Sequence, residues 1–144
     1  MELTDINIQE YLPHREPLLM VDGIIEMCKE KVITRFSIQA DNIFLLNNQL
    51  QESGLIENMA QTCASIVGQS FFDDQSNDTK VIGFITSIKK VNIFSLPHLG
   101  QEIITKAKLV SQYENICNVS CETFCEDELL GTAEINLFIQ EITS

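Results

Sequence analysis

The chain has 144 residues, with nine Lys and Arg against 21 Asp and Glu for a net charge of −12, and 44% hydrophobic residues. That length makes one domain, residues 1–144, able to bury a core without metal or disulfide staples. The acidity excludes a nucleic-acid role, which rests on Lys and Arg neutralising phosphates. Five cysteines, Cys28, Cys63, Cys117, Cys121 and Cys125, are an odd number scattered through apolar segments, a usage that fits reduced thiols in a cytoplasmic protein better than a disulfide framework.

The opening "MELTDINIQEYL" is acidic and amphipathic, with no basic leader, and no stretch reaches the ~18 to 20 apolar residues of a membrane span. A soluble, cytoplasmic protein without a membrane span is expected. Asp5 to Leu12 reads as a short helix halted at Pro13, followed by a loop across Pro17 and an apolar run from Leu18. "GIIEMCKEKVITRFSIQA" reads as a strand pair turning around Lys29 to Lys31, because Val32, Thr34, Phe36 and Ile38 alternate with Ile33, Arg35 and Ser37. "DNIFLLNNQLQE" reads as irregular.

"GLIENMAQTCASIVGQSFF" follows. Leu55, Ile56, Met59, Ala60, Cys63, Ala64, Ile66, Val67 and Phe71 recur at helical spacing on more than one side, which predicts a helix covered almost all round, from an N-cap at Ser53 to about Phe72. Glu57 stands one turn inside it, beside surface that will be buried. A buried carboxylate costs several kcal/mol unless it is paired, hydrogen-bonded or protonated. Gln61, four residues on, shares its face and can hydrogen-bond it. The residues alone leave two readings: a Glu–Gln pair that orients the helix, or a general acid or base held by its neighbour near a helix N-terminus.

After a polar loop, "DDQSNDTK", the period changes. "VIGFITSIKKVNIFS", "QEIITKAKLVSQ", "NICNVSCETFCE" and "LLGTAEINLFIQEI" read as four strands of an antiparallel meander, separated by "LPHLG", "QYEN" and "EDE". In the third, Cys117, Val119, Cys121, Thr123 and Cys125 share a face; a strand using Cys as a small core residue accounts for them, and no metal is expected. One long buried helix followed by strands implies an α+β fold, an antiparallel sheet wrapped around the helix, with an exposed edge strand favouring a side-by-side dimer.

"YLPHREPLLMVDGI" and "GLIENMAQTCA" closely resemble the N-terminal motif and central-helix start of the hot-dog-fold 3-hydroxyacyl-[acyl carrier protein] dehydratases. "IENMAQ" and "IGFITSIKK" also resemble the His-deficient dehydratase-like subunits of aryl polyene pigment pathways. The resemblance implies a hot-dog fold and reversible loss of water from a 3-hydroxyacyl thioester, with Glu57 catalytic, Gln61 supporting it and the Gly54 amide polarising the thioester carbonyl. It implies no cofactor beyond the substrate's own phosphopantetheine, carried on acyl carrier protein or coenzyme A. Arg15, Lys89 and Lys90 are then the candidates for holding the carrier's phosphate.

The family's catalytic His, in a Gly-His-Phe-Pro-Gly segment ahead of the helix, has no counterpart. Here "FLLNNQLQESGLIE" is shorter and places Asn47 and Asn48 near the expected position, and an Asn amide does not titrate near neutral pH. His14 matches the "LPHR" motif, where the family's His lines the tunnel, and is the candidate substitute base if the shortened loop rearranges; His98 falls in a turn. The pattern fits a homodimer or a heterodimer with a His-bearing hot-dog subunit. Two rivals stand beside it: a hot-dog thioesterase, in which the helix carboxylate activates water, and a His-less subunit that only binds acyl chains or scaffolds a partner.

Overall fold

The computed structural model describes residues 18–72 and 79–143; the helix expected over Asp5–Leu12 and the candidates His14 and Arg15 lie outside the described residues. The first strand pair forms as the alternation predicts: β1 (Gly23–Cys28) runs antiparallel to β2 (Lys31–Ser37) across a tight turn at Lys29–Glu30.

The segment expected to be irregular contains a hairpin instead. β3 (Leu45–Leu46) pairs with β4 (Gln49–Leu50), and between them Asn47 and Asn48 both occupy the left-handed region, at φ 53° and 62°. Two consecutive positive φ values define a type I′ turn, which Asn tolerates because its short side chain bonds locally. Strands of two residues are too short to display a period. β4 is also stitched to the distant Pro97–His98 loop, through Leu50 N–H to Pro97 O (2.9 Å) and a bridge between Gln49 and His98.

The hairpin leads directly into α1 (Glu52–Phe72). Ser53, expected as the N-cap, lies inside the first turn; the carbonyl of Gln51 accepts the first N–H groups, from Gly54 at 3.0 Å and Leu55 at 3.1 Å. The Gln51 N–H is itself tied to Phe44 O at 3.0 Å, so hairpin closure sets where the helix begins. Gly54 makes this junction possible: a Cβ there would lie 2.6 Å from Phe44 Cβ and 2.8 Å from Leu50 Cδ1.

The remaining strands are β5 (Thr79–Ile93), β6 (Glu102–Tyr113), β7 (Ile116–Cys125) and β8 (Glu128–Thr143). β6, β7 and β8 form the expected meander through tight turns in which Glu114 and Glu126 take φ 52° and 55°. β5 does not join it next to β6. It pairs with β8, giving the order β1-β2-β6-β7-β8-β5, because the longer Phe94–Gln101 link frees it from its sequence neighbour and delivers β6 beside β2. This six-stranded antiparallel sheet wraps α1. Its inner face presents Val32 and Phe36, Ile103 and Ala107, Val119, Ile135 and Leu137 to the buried helix residues Leu55, Met59, Cys63, Ile66 and Val67. Each such side chain contributes about 1.5–3 kcal/mol on burial, which an all-round apolar helix gains only inside an enclosing sheet.

One row of that inner face is polar. Thr34 of β2 is in register with Thr105 of β6, Thr105 with Thr123 of β7, and Thr123 with Gly131 of β8; the three threonines are fully buried. At the far side of the sheet β5 is an edge strand, and Phe84, Ile85, Ile88 and Val91 on it are exposed, as an interface strand awaiting a partner would be.

The cysteines of β7 point inward: Cys117, Cys121 and Cys125 are buried, as is Cys63 of α1. Burial raises the Cys63 thiol well above its ordinary value, reinforced by Cys121; burial alone raises Cys117; burial, then Glu126 and Glu128, raise Cys125. The Cys63, Cys117 and Cys125 thiols therefore stay protonated at neutral pH, and burial keeps reagents from Cys63, Cys117 and Cys121. A thiol titration of the native protein should therefore modify only the exposed Cys28 quickly, and all five after unfolding. Gly54→Ala should cost about 1–3 kcal/mol in urea unfolding despite the better helix propensity of Ala, since Phe44 Cβ cannot rotate away from the added methyl.

Candidate functional site

α1 carries four polar residues at i, i+3, i+4 and i+7, Asn58, Gln61, Thr62 and Ser65, and all four are buried. Gln61 is legible from its spacing to Glu57; Asn58, Thr62 and Ser65 are obscured by the apolar residues around them, and their helical spacing inside a covered helix is the signal that marks them. Ser65 returns its hydroxyl to Thr62 O at 2.6 Å. The others reach outward. Thr62 Oγ1 lies 2.7 Å from Thr34 Oγ1, and Thr105 Oγ1 donates to Asn58 Oδ1 at 2.6 Å while lying 2.7 Å from Thr123 Oγ1, so the helix stripe docks on the threonine row.

Gln61 and Asn58 also grip the segment entering from the N-terminal side. Met20 N–H donates to Gln61 Oε1 (2.7 Å), Met20 C=O accepts from Asn58 Nδ2 (2.7 Å), and Gln61 Nε2 donates to Leu18 O (2.7 Å) and to Glu57 Oε1 (3.0 Å). The amide orientation of Gln61 is forced, because a backbone N–H must face its oxygen and a backbone carbonyl its nitrogen. Gln61 therefore always presents a donor to Glu57. The carboxylate is half-buried at the mouth of this network and is held by a charge-assisted bond.

The other candidates are placed as follows. The Gly54 N–H, one turn before Glu57, is engaged by Gln51 O at 3.0 Å. Asn47 and Asn48 form the exposed tip of the β3–β4 hairpin, where Asn48 O accepts from Leu99 N at 2.8 Å. Lys89 and Lys90 are exposed on β5 beside a bulge; Lys90 has φ 53° and its Nζ lies 3.5 Å from Glu134 Oε2. His98 sits exposed in the turn expected for it, its N–H bonded to Gln101 Oε1 at 2.8 Å, on the wall of a cavity of about 510 Å³. Ser95, Cys125, Glu126 and Glu128 also line that cavity; Glu57 does not. Among the described residues, no cluster of His, Cys, Asp and Glu has the arrangement of a metal site, and no helix is long and apolar enough to cross a membrane.

A long helix enclosed by an antiparallel sheet, with a carboxyl group and its orienting amide in the first turns, is the hot-dog fold. The chain belongs to the ApeP-like family, described as ApeP dehydratase, whose model matches residues 6–143. It is 26% identical over 145 residues to the 3-hydroxyacyl-[acyl-carrier-protein] dehydratase FabZ of Psychrobacter arcticus, covering 98% of this chain and 99% of that one. It is 26% identical over 133 residues to FabZ of Syntrophobacter fumaroxidans, covering 89% and 88%. Among solved structures it is similar to the dehydratase heterocomplex ApeI:P from Xenorhabdus doucetiae, with TM-score 0.82, 21% identity and coverage of 92% and 90%. A hypothetical thioesterase with coenzyme A from Streptococcus pneumoniae shares the fold at TM-score 0.69 and 13% identity, covering 85% of this chain and 88% of that one.

Glu57→Gln keeps an oxygen for the Gln61 donor and should change the unfolding free energy by no more than about 1 kcal/mol. Gln61→Leu leaves the buried Met20 N–H without its acceptor and should cost about 1–3 kcal/mol, while the Leu18 carbonyl, on an exposed residue, can turn to water. Denaturant unfolding of the two variants reads the contrast, and a loss of several kcal/mol in Glu57→Gln would make the carboxylate a structural element.

Proposed function

We propose that this chain supplies the carboxylate half of a 3-hydroxyacyl thioester dehydratase site, and that a histidine from a second hot-dog subunit supplies the other half. The observation that carries the reading is Glu57 itself: a carboxylate in the first turns of a buried helix, held at 3.0 Å by an amide whose orientation the backbone dictates. Family membership supports the chemistry. Elimination needs a base to take the α-proton and an acid to protonate the departing hydroxyl, so that one C–H and one C–O bond break, a C=C bond forms and water leaves. Glu57 serves as one member of that pair; the second histidine-bearing subunit provides the other, with Gln61 fixing the carboxylate.

The exposed apolar edge of β5 supports a partner at that side, and the type I′ turn at Asn47–Asn48 supports the need for one. Those residues close a tight exposed hairpin where the family's loop carries its base. In this reading Gly54 belongs to the thioester pocket, His14 lines the entrance, and Arg15, Lys89 and Lys90 are phosphate contacts for the phosphopantetheine of an acyl carrier protein or coenzyme A. Of the two lysines Lys89 is the stronger candidate, since Lys90 lies within salt-bridge distance of Glu134. The pathway is fatty-acid or polyene-type synthesis.

The test mixes the purified chain with a His-bearing hot-dog dehydratase subunit and follows water loss from a 3-hydroxyacyl pantetheine thioester. Loss of a general base costs on the order of 10²- to 10⁴-fold, so this chain alone should be slow by that factor and the mixture fast. Glu57→Gln in this chain should collapse the mixture's rate. Robust dehydration by the chain alone, or a mixture indifferent to Glu57→Gln, overturns the proposal; release of free thiol instead of the alkenoyl product would assign the site to thioester hydrolysis.

A further inference from the structure

We infer that Asn58, anchored by the hydroxyls of Thr105 and Thr123, is a positioning residue that sets the orientation of the Glu57 carboxylate through Met20 and Gln61. The inference rests on the reading that Glu57 reacts with substrate, and it adds Asn58, Thr105 and Thr123, on which that reading does not depend.

The directions of the bonds follow from donor chemistry. Met20 C=O is an acceptor, so the Asn58 group 2.7 Å from it is the amide nitrogen, and the Asn58 oxygen faces Thr105 Oγ1 at 2.6 Å. A hydroxyl has one proton, and Thr105 gives its proton to Asn58; Thr123, 2.7 Å away, must therefore donate to Thr105. From the sheet to the site the donors run one way: Thr123 to Thr105, Thr105 to Asn58, Asn58 to Met20 O, Met20 N–H to Gln61 Oε1, Gln61 Nε2 to Glu57 Oε1. Reversal at any link would set two donors or two acceptors face to face in the core.

Burial gives the chain its stiffness. Thr105, Thr123, Gln61 and Met20 are 0% exposed and Asn58 1%, so water is not there to replace a lost partner. Asn58 and Gln61 hold the two sides of one residue, Met20, and Gln61 divides its two amide hydrogens between Leu18 O and Glu57. If Asn58 lets go of Met20, the strap shifts, Gln61 follows the strap, and the carboxylate loses its set direction. Thr105 is the place to test this, because Thr105→Val nearly keeps the shape and removes the hydroxyl that donates to Asn58 and accepts from Thr123, while Thr105→Ser keeps both bonds.

In the mixture with a His-bearing subunit, Thr105→Val should lower kcat on the order of 10- to 100-fold with little change in KM, the size of effect that follows from misplacing a reacting group by about an ångström. Thr105→Ser should retain most of the rate. In a Glu57→Gln background, Thr105→Val should cause no further loss, since it acts through a group already removed. Independently of turnover, Thr105→Val in the chain alone should speed hydrogen exchange at the Met20 amide and move the ¹³C resonance of the Glu57 carboxyl, and Thr105→Ser should do neither. An unmoved Glu57 resonance, or equal losses from Thr105→Val with and without Glu57→Gln, overturns the inference. If Glu57→Gln alone leaves the mixture's rate intact while the resonance still moves, the reactive role of Glu57 fails and the positioning network stands.

Discussion

The threonine row and the helix stripe that docks on it determine how α1 sits in its sheet. Apolar packing has no direction, and a helix buried on nearly every side gains almost as much at one rotation as at another. The contacts of Asn58 and Thr62 with Thr105 and Thr34 remove that freedom. Sliding the helix by a turn, about 5.4 Å, would leave those buried groups unpaired at about 1–3 kcal/mol each. The rotation and height of Glu57 are thus set from behind, by side chains that face away from the site.

The same row explains the strap across the front of the helix. Among the described residues no strand pairs with Leu18 to Met20, and the amides of Gln61 and Asn58 supply bonds of the kind a neighbouring strand would. At the other end of the row, Gly131 leaves room where a Cβ would meet Asn92 O at 2.9 Å and Met59 Cε at 3.2 Å. The bulged part of β5 closes against the helix there. Helix, strap and edge strand are therefore positioned from one line of residues crossing four strands.

Much of this could be read from the sequence where a single period carried the signal. The enclosed helix, the β1–β2 pair, the β6–β8 strands and the Glu57–Gln61 spacing each depend on residues close in the chain. The β3–β4 hairpin escaped because Leu45–Leu46 and Gln49–Leu50 are shorter than any period, although Asn47–Asn48 is itself turn chemistry. Side-chain preference points to Ser53 as the N-cap, whereas the helix starts at Glu52 and the N-cap position is Gln51, whose carbonyl accepts the first intrahelical bond. The place of β5 next to β8 and the alignment of Thr34, Thr105 and Thr123 depend on pairing between distant strands, where a threonine reads only as a β-branched residue. Asn58 belonged to a visible stripe, but its meaning required the partner strand.

The hairpin at Asn47–Asn48 limits what substitution alone can change near the helix start. Its tip is exposed and its carbonyl is committed to Leu99, while the strands on either side fix the distance to the helix start. A single codon change to histidine at either position would place an imidazole in solvent at the end of a turn. Recovering an internal base would require inserting chain between β3 and β4 and breaking the junction at which Gly54 meets Phe44 and Leu50. Loop length is therefore a hard constraint: at a two-residue turn closed by its own strands a new side chain meets solvent, and bringing one toward Glu57 takes more chain between β3 and β4.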